Sequence, residues 1–352
     1  MSEARRYDID WIRVIAIGLL LIYHVAIAFQ PWGVMIGFPT NKEAWTGLWI
    51  PMTMLNIWRI PLLFFVSGMG VYFALKSRTL KELYAERSLR IFVPYVFGMF
   101  VIVPIHTYLW RYYFNMQLIY TPSAGHLWFL GNIFIYVLVL TPLFMYMKTT
   151  TWVKKVFGHP AGVLIVIGAF VLEQVIIKPV PYELYANTWH GFVLGMLAFF
   201  FGFCFVLAGA TMLKGRWIFA TIAIGLFVLR LNGFQQLLVV ESQCWIFSVL
   251  GFGYKYLNRG SNALTYLAQA AYPVYILHMI FLYLGALLIF PLSMPVQLKF
   301  VTLLIFTLMG CMLTYEYVVR RIKWIRPLFG LRFTPTSSST RDSKLQPSET
   351  GS

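Results

Sequence analysis

Residues 11–30, WIRVIAIGLLLIYHVAIAFQ, set one arginine and one histidine in an otherwise almost wholly apolar stretch. About 20 apolar residues in helical conformation cross the roughly 30 Å of a bilayer's hydrocarbon core. The same pattern recurs along the chain: 48–75, 88–110, 127–147, 161–179, 189–210, 215–230, 236–254, 264–289 and 298–319 read as further spans. Ten helices joined by short loops predict an all-α integral membrane protein with no sizeable domain outside the bilayer. The first run is long and no small-residue cleavage site follows it, so it is expected to be a retained span rather than a signal peptide.

Composition agrees with the pattern. Of 352 residues, 60% are hydrophobic and 11% charged, and the mean hydropathy is +0.73. Soluble domains carry about 25% charged residues, and less than half that share cannot cover a water-soluble globule of this size. The net charge of +16 invites a nucleic-acid reading, but the charges fall in short clusters between apolar runs, which is a topology signal. With ten spans and both termini in the cytoplasm, 22 of the 28 Lys and Arg lie on the inner side and five on the outer. Cys204, Cys244 and Cys311 sit singly inside apolar stretches and read as packing residues, and no metal site is expected. The expected boundaries are a membrane domain over 1–330 and a disordered cytoplasmic tail over 331–352, Ser/Thr/Pro-rich from Thr334.

Ionisable residues inside spans are costly and point to function. Arg13 and His24 are eleven residues apart, which at about 100° per residue falls within about 20° of three full turns. They share a helix face, with Arg13 at the inner headgroup level and His24 about 16 Å deeper, near the midplane. Asp10 lies one turn from Arg13. Singly, Arg13 reads as a snorkelling anchor and His24 as a packed neutral histidine; their common face favours a joint role.

Arg59, in Trp58-Arg59-Ile-Pro-Leu-Leu-Phe-Phe-Val-Ser67-Gly68, also falls near mid-depth, where Pro61 and the Ser-Gly pair loosen the helix. It needs a carboxylate, carbonyls, water or a ligand, and Glu173 is the protein-only candidate. Arg87 and Arg90 are either inner-side charge or a phosphate clamp. His126, Trp128, Tyr275 and His278 read as interfacial or packed residues, or as an acceptor-side group. His106, His159 and His190 lie near span ends and read as structural.

Asp10-x-x-Arg13, Arg13-x10-His24, the Arg59 segment, Arg87-x-x-Arg90, His126-Leu-Trp-Phe-Leu and Tyr-Pro-Val-Tyr275-Ile-Leu-His278 together resemble the acyltransferase-3 family of ten-helix membrane proteins. The likeness runs to about residue 330. The Arg59 segment and His-Leu-Trp-Phe-Leu most resemble the branch that includes glucan biosynthesis protein C, a succinyltransferase. Ala271 departs from the serine expected before Tyr-Pro in many members.

The resemblance implies an enzyme of the cell (inner or plasma) membrane moving an acyl group, acetyl or succinyl, from cytoplasmic acyl-CoA to a hydroxyl of an extracytoplasmic glycan or related envelope acceptor. It needs no bound cofactor. Asp10, Arg13, Arg87 and Arg90 would dock the donor, and His24 would be general base or would carry the acyl group as an acyl-histidine. Arg59 would hold developing oxyanion charge or an acyl carboxylate, and His126, Trp128, Tyr275 and His278 would serve the acceptor or support the site. The competing class is a secondary transporter of a small anion or glycan, which would also place charges at mid-depth. No repeat supports that class, and the inner arginine cluster is unexplained by it.

Overall fold

The computed structural model describes residues 6–177, 181–209 and 214–333. The tail read from Thr334 onward lies outside the described residues, as do Arg5, Lys178, Arg341 and Lys344, four of the charges used for orientation. Leu331 N–H donates to Arg326 O and Arg326 Nε to Arg332 O, so residues 331 and 332, expected in the tail, are bonded back to the bundle.

Among the described residues the elements are helices and turns, without strands. We number the helices α1 (Tyr7–Ile27), α2 (Trp49–Asn56), α3 (Arg59–Ala74), α4 (Leu80–Tyr113), α5 (Trp128–Thr149), α6 (Trp152–Gly158), α7 (Gly162–Ile177), α8 (Trp189–Ala208), α9 (Arg216–Leu231), α10 (Leu238–Tyr256), α11 (Asn262–Ile289) and α12 (Val296–Val319). Helix α1 is central, packed on α3, α10, α11 and α12.

The chain is a multi-pass membrane protein, yet the expected ten spans are not all present by length and apolarity. Seven helical stretches are long and apolar enough to cross, or eight if α6 and α7, bent by 91°, form one span. The two that drop out are α9 and α10. Helix α9 has 16 residues, a rise of about 24 Å against the roughly 30 Å core. Helix α10 is diluted by Glu241, Ser242 and Gln243, all buried.

These two helices hold each other. Arg230 Nε and Nη2 donate to the Glu241 carboxylate at 2.8 and 2.9 Å, and Nη2 also reaches Thr53 O at 3.1 Å. Arg230, expected as an outer loop charge, is instead in a buried bidentate pair, a geometry that satisfies both planar groups.

Proline decides where the helices break. An apolar surround leaves no water for a carbonyl that loses its helical donor. Pro61 lacks the N–H that would bond Ile57 O, and the helix parts at Ile57–Trp58, between α2 and α3. Ile57 O is taken instead by Ser242 Oγ at 2.7 Å and Tyr185 Oη at 3.1 Å. Pro142 frees Leu138 O, which accepts from Tyr84 Oη at 2.8 Å; Pro104 frees Phe100 O, which accepts from Tyr120 Oη at 2.8 Å. In α4 widened i→i+5 turns at Ser88–Phe92 and Gly98–Ile102 lead into Pro94 and Pro104, relieving the clash of each ring with the preceding turn.

Helix α3 is fixed by its crossing with α8. A Cβ on Gly68 would meet the Phe199 backbone, and one on Gly202 the Phe65 backbone. Only hydrogen at these two positions lets the helices lie in backbone contact, the small-residue packing typical of membrane helices.

Either Ser242→Ala or Tyr185→Phe alone leaves Ile57 O one hydroxyl partner. The double variant leaves it none, and its loss of stability should exceed the sum of the single losses by about 1–3 kcal/mol. Denaturant or thermal unfolding of the four proteins in one detergent measures this.

Candidate active site

Helices α1 and α3 run antiparallel and meet in two places. At one end a Cβ on Gly70 would lie 3.7 Å from Arg13 Nη2; at the other, the Arg59 guanidinium carbon lies 3.3 Å from the centre of the Tyr23 ring. Eleven residues of α3 therefore match ten of α1, a common rise of about 15–16 Å. Arg59 stands at the depth of His24 and within electrostatic reach of it. The two residues singled out at mid-depth share one level because the break at Ile57–Trp58 puts Arg59 first in α3.

His24 opens a chain of histidines drawn from four helical segments. His24 Nδ1 lies 2.8 Å from His278 Nε2, and the two rings are 17° from coplanar with centroids 5.0 Å apart. That separation is an edge-to-edge hydrogen bond in a nearly common plane rather than a face-to-face stack. His278 Nδ1 is 2.7 Å from Tyr275 O, one turn back on α11. The His126 ring packs edge-on to His278 at 5.1 Å, with Nε2 3.2 Å from Ile276 O. Tyr275 Oη donates to His126 O at 2.6 Å.

His106, read from sequence as structural, joins this cluster at 5.4 Å from His126 and 5.2 Å from Tyr283. Nothing near His106 in sequence signals this, because its neighbours come from the turn before α5 and from α11. Among the described residues no three His, Cys, Asp or Glu side chains are placed to hold a metal ion. Phe38 packs edge-on to His24 at 5.6 Å, at the end of a loop turned by Gly37, whose φ of +85° favours glycine.

Arg59 is 3% exposed and forms no ion pair or hydrogen bond among the described residues; its Nε and Nη1 are buried. The expected partner Glu173 is engaged elsewhere: it lies 2.8 Å from His190 Nδ1, and the other nitrogen of that ring lies 2.9 Å from Tyr182 O. Glu241 is committed to Arg230. What Arg59 has is the face of Tyr23, a cation–π contact that offsets part of the burial cost, together with Tyr185 within electrostatic reach. The N-terminus of α3 adds a second positive pole. Arg59 and the α3 N-terminus together make this corner of the interior positive.

At the other end of α1, Arg13 lies 3.4 Å from Asp10, while Glu86 divides its carboxylate between Arg87 (3.3 Å) and Arg90 (2.9 Å). Arg13 and Arg87 are within reach of each other's charge, with Arg78 nearby. Three partly exposed guanidiniums share two carboxylates, a positive excess suited to phosphate. Arg90 Nε also donates to Gly330 O at 3.3 Å. Gly330 sits at φ +72°, where a Cβ would strike Tyr272.

Of the expected site residues, His24, His126, Tyr275 and His278 come together with Arg59 alongside, whereas Trp128 turns away to pack on Phe64 and Phe129.

The sequence from residue 6 to 316 matches the acyltransferase-3 family, described as an acyltransferase domain. The chain belongs to the acyltransferase-3 family. No curated protein and no solved structure matches it. It is therefore a membrane acyltransferase, acting with an acyl donor and an acceptor, and the family match covers both the histidine cluster and the arginine cluster. The transporter reading has nothing comparable in its favour.

For this acyltransferase, Arg59→Met separates function from architecture. A buried cation without a carboxylate is a stability cost, and an apolar side chain of similar length removes it. The variant should unfold at the same or a higher temperature than the parent in detergent, while acyl transfer falls about 100-fold or more.

Proposed function

We propose that this acyltransferase carries an acetyl or succinyl group from cytoplasmic acyl-CoA to a hydroxyl of an extracytoplasmic glycan or related envelope acceptor. The observation that carries the reading is the placement of His24 at the level of Arg59 and within its electrostatic reach, one helix length from the Arg13–Arg87–Arg90 cluster. Donor phosphates belong at the arginine cluster, which the bias of Lys and Arg between loops assigns to the cytoplasmic side. The pantetheine arm then brings the thioester up the bundle to His24.

At His24 the chemistry balances without a redox step. The Nε2 lone pair takes the proton of the acceptor hydroxyl as its oxygen attacks the thioester carbonyl carbon. The carbonyl oxygen becomes negative beside Arg59, whose free N–H groups and the α3 N-terminus stabilise it. The C–S bond breaks, and the proton on Nε2 passes to the departing CoA sulfur. His126, on the far side of His278, belongs to the acceptor's approach; Trp128, turned onto Phe64, supports the wall of α3.

The likeness of the Arg59 segment to the glucan biosynthesis protein C branch, with an arginine free to meet a second carboxylate, favours succinyl among the candidate acyl groups. Comparing envelope glycans by mass spectrometry, with and without the protein, names acyl group and carrier together; unchanged glycans would count against the acceptor assignment.

His24→Ala should reduce transfer of label from acyl-CoA to membrane glycans by about 10²–10⁴ in a protein that still inserts and folds. Full activity in that variant would overturn the mechanism. Arg87→Ala and Arg90→Ala should instead raise KM for acyl-CoA, each by about tenfold, with kcat little changed. That is the signature of lost phosphate contacts that are equal in ground and transition states, read from initial rates against donor concentration.

A further inference from the structure

We propose that His278 is the positioning residue that sets the tautomer of His24 and thereby makes Nε2 of His24 the reacting atom. The inference rests on the reading of His24 as the reacting group for its functional meaning, but its structural content stands by itself.

The order of protons is set at a backbone carbonyl. Tyr275 O can only accept, so His278 Nδ1, 2.7 Å away, carries the proton. A neutral imidazole holds one N–H, and His278 Nε2 is then a bare lone pair. That lone pair faces His24 Nδ1 at 2.8 Å. Two bare nitrogens at that distance would repel, so His24 Nδ1 carries its proton and donates it. One N–H being spent, His24 Nε2 is left as the basic nitrogen. It has no hydrogen bond among the described residues and is not among the buried nitrogens, and His24 is half-buried where His278 is 1% exposed.

The backbone of α11 thus dictates, through one ring, the protonation pattern of a ring on α1. Only one arrangement of protons satisfies all three groups in an apolar interior, where a wrong tautomer would leave a buried lone-pair clash. The chain also serves the reaction. When Nε2 takes the acceptor's proton, the Nδ1–H of the resulting imidazolium still points at His278 Nε2, which becomes a stronger acceptor partner for it. In the same cluster His126 is held the other way: its Nε2 lies 3.2 Å from Ile276 O, so Nε2 carries the proton and Nδ1 is bare.

The test is the ¹⁵N spectrum of histidine-labelled full-length protein in nanodiscs, where protonated and bare ring nitrogens are well separated. With six histidines in the chain, each is assigned by single substitution. The expected result is Nδ1–H for both His24 and His278, Nε2–H for His126, and a coupling through the hydrogen bond between His24 Nδ1 and His278 Nε2. His278→Gln, whose side-chain oxygen reaches the place of Nε2, should keep His24 as Nδ1–H. His278→Asn, too short to reach His24, should release it to a mixture of tautomers. His190, bonded separately to Glu173 and Tyr182, reports that each variant is folded.

In acyl transfer, His278→Asn should lower kcat about 10²–10⁴-fold, as a misplaced tautomer does in histidine catalysis, with KM for acyl-CoA within about twofold. His278→Gln should restore activity to within about tenfold of the parent. A bare Nδ1 on His24 in the parent protein, or a His24 signal unchanged in His278→Asn, overturns the proposal. Should the spectra agree but His24→Ala remain active, the tautomer lock stands and the catalytic reading of His24 falls instead.

Discussion

A backbone carbonyl that loses its helical donor inside a bilayer has nowhere else to turn, and this protein is organised around that constraint. Pro61 removes one amide, and the helix that would have run from residue 49 to 74 parts at Ile57–Trp58. The liberated carbonyl draws a serine from α10 and a tyrosine from the segment before α8. One missing N–H thus ties three distant parts of the chain to a single point, and that point sits next to Arg59. Leu138 and Phe100 repeat the device with tyrosines.

The same accounting applies to charge. Arg230 has Glu241, Arg90 has Glu86, and Arg326 has the carbonyls of Arg320 and Arg332, while Glu173 faces His190. Arg59, 3% exposed, has neither a carboxylate nor a carbonyl partner among the described residues and is answered by an aromatic face and by electrostatics. In an interior where unpaired ions cost several kcal/mol, the role proposed for Arg59, binding negative charge, would offset that cost. The nearby histidines follow a different logic: His278 and His126 each turn one ring nitrogen to a backbone carbonyl, and His24 turns one to His278.

Helix α1 joins the two regions. It runs unbroken from Tyr7 to Ile27, so the spacing between Arg13 and His24 is a rigid distance rather than an average over loops. In the proposed mechanism a donor anchored by phosphate at one end would meet a fixed reach to the reacting nitrogen at the other. The backbone contact of α3 with α8 at Gly68 and Gly202 gives Arg59 the same rigidity from the opposite side. Preorganisation of this sort is what makes a stationary charge effective on a transient one.

Hydropathy alone determined that the chain is helical and crosses a membrane several times, because a polar-free run of about 20 residues has few other stable homes. Helical period alone put Arg13 and His24 on one face, and both survive in the structure. Sequence read ten spans where seven or eight helical stretches are long and apolar enough to cross, and it did not show that Glu241 answers Arg230 between α9 and α10. It paired Arg59 with Glu173, the one acid at a suitable depth, when depth says nothing of azimuth and Glu173 faces His190. It read His278 among the acceptor-side or supporting residues and His106 as structural, without joining either to His24. The His24–His278 contact joins residues 254 positions apart, and only the packing of α1 against α11 decides it: a helix's own sequence fixes which residues share its face, while the neighbour that face meets is set by the whole bundle.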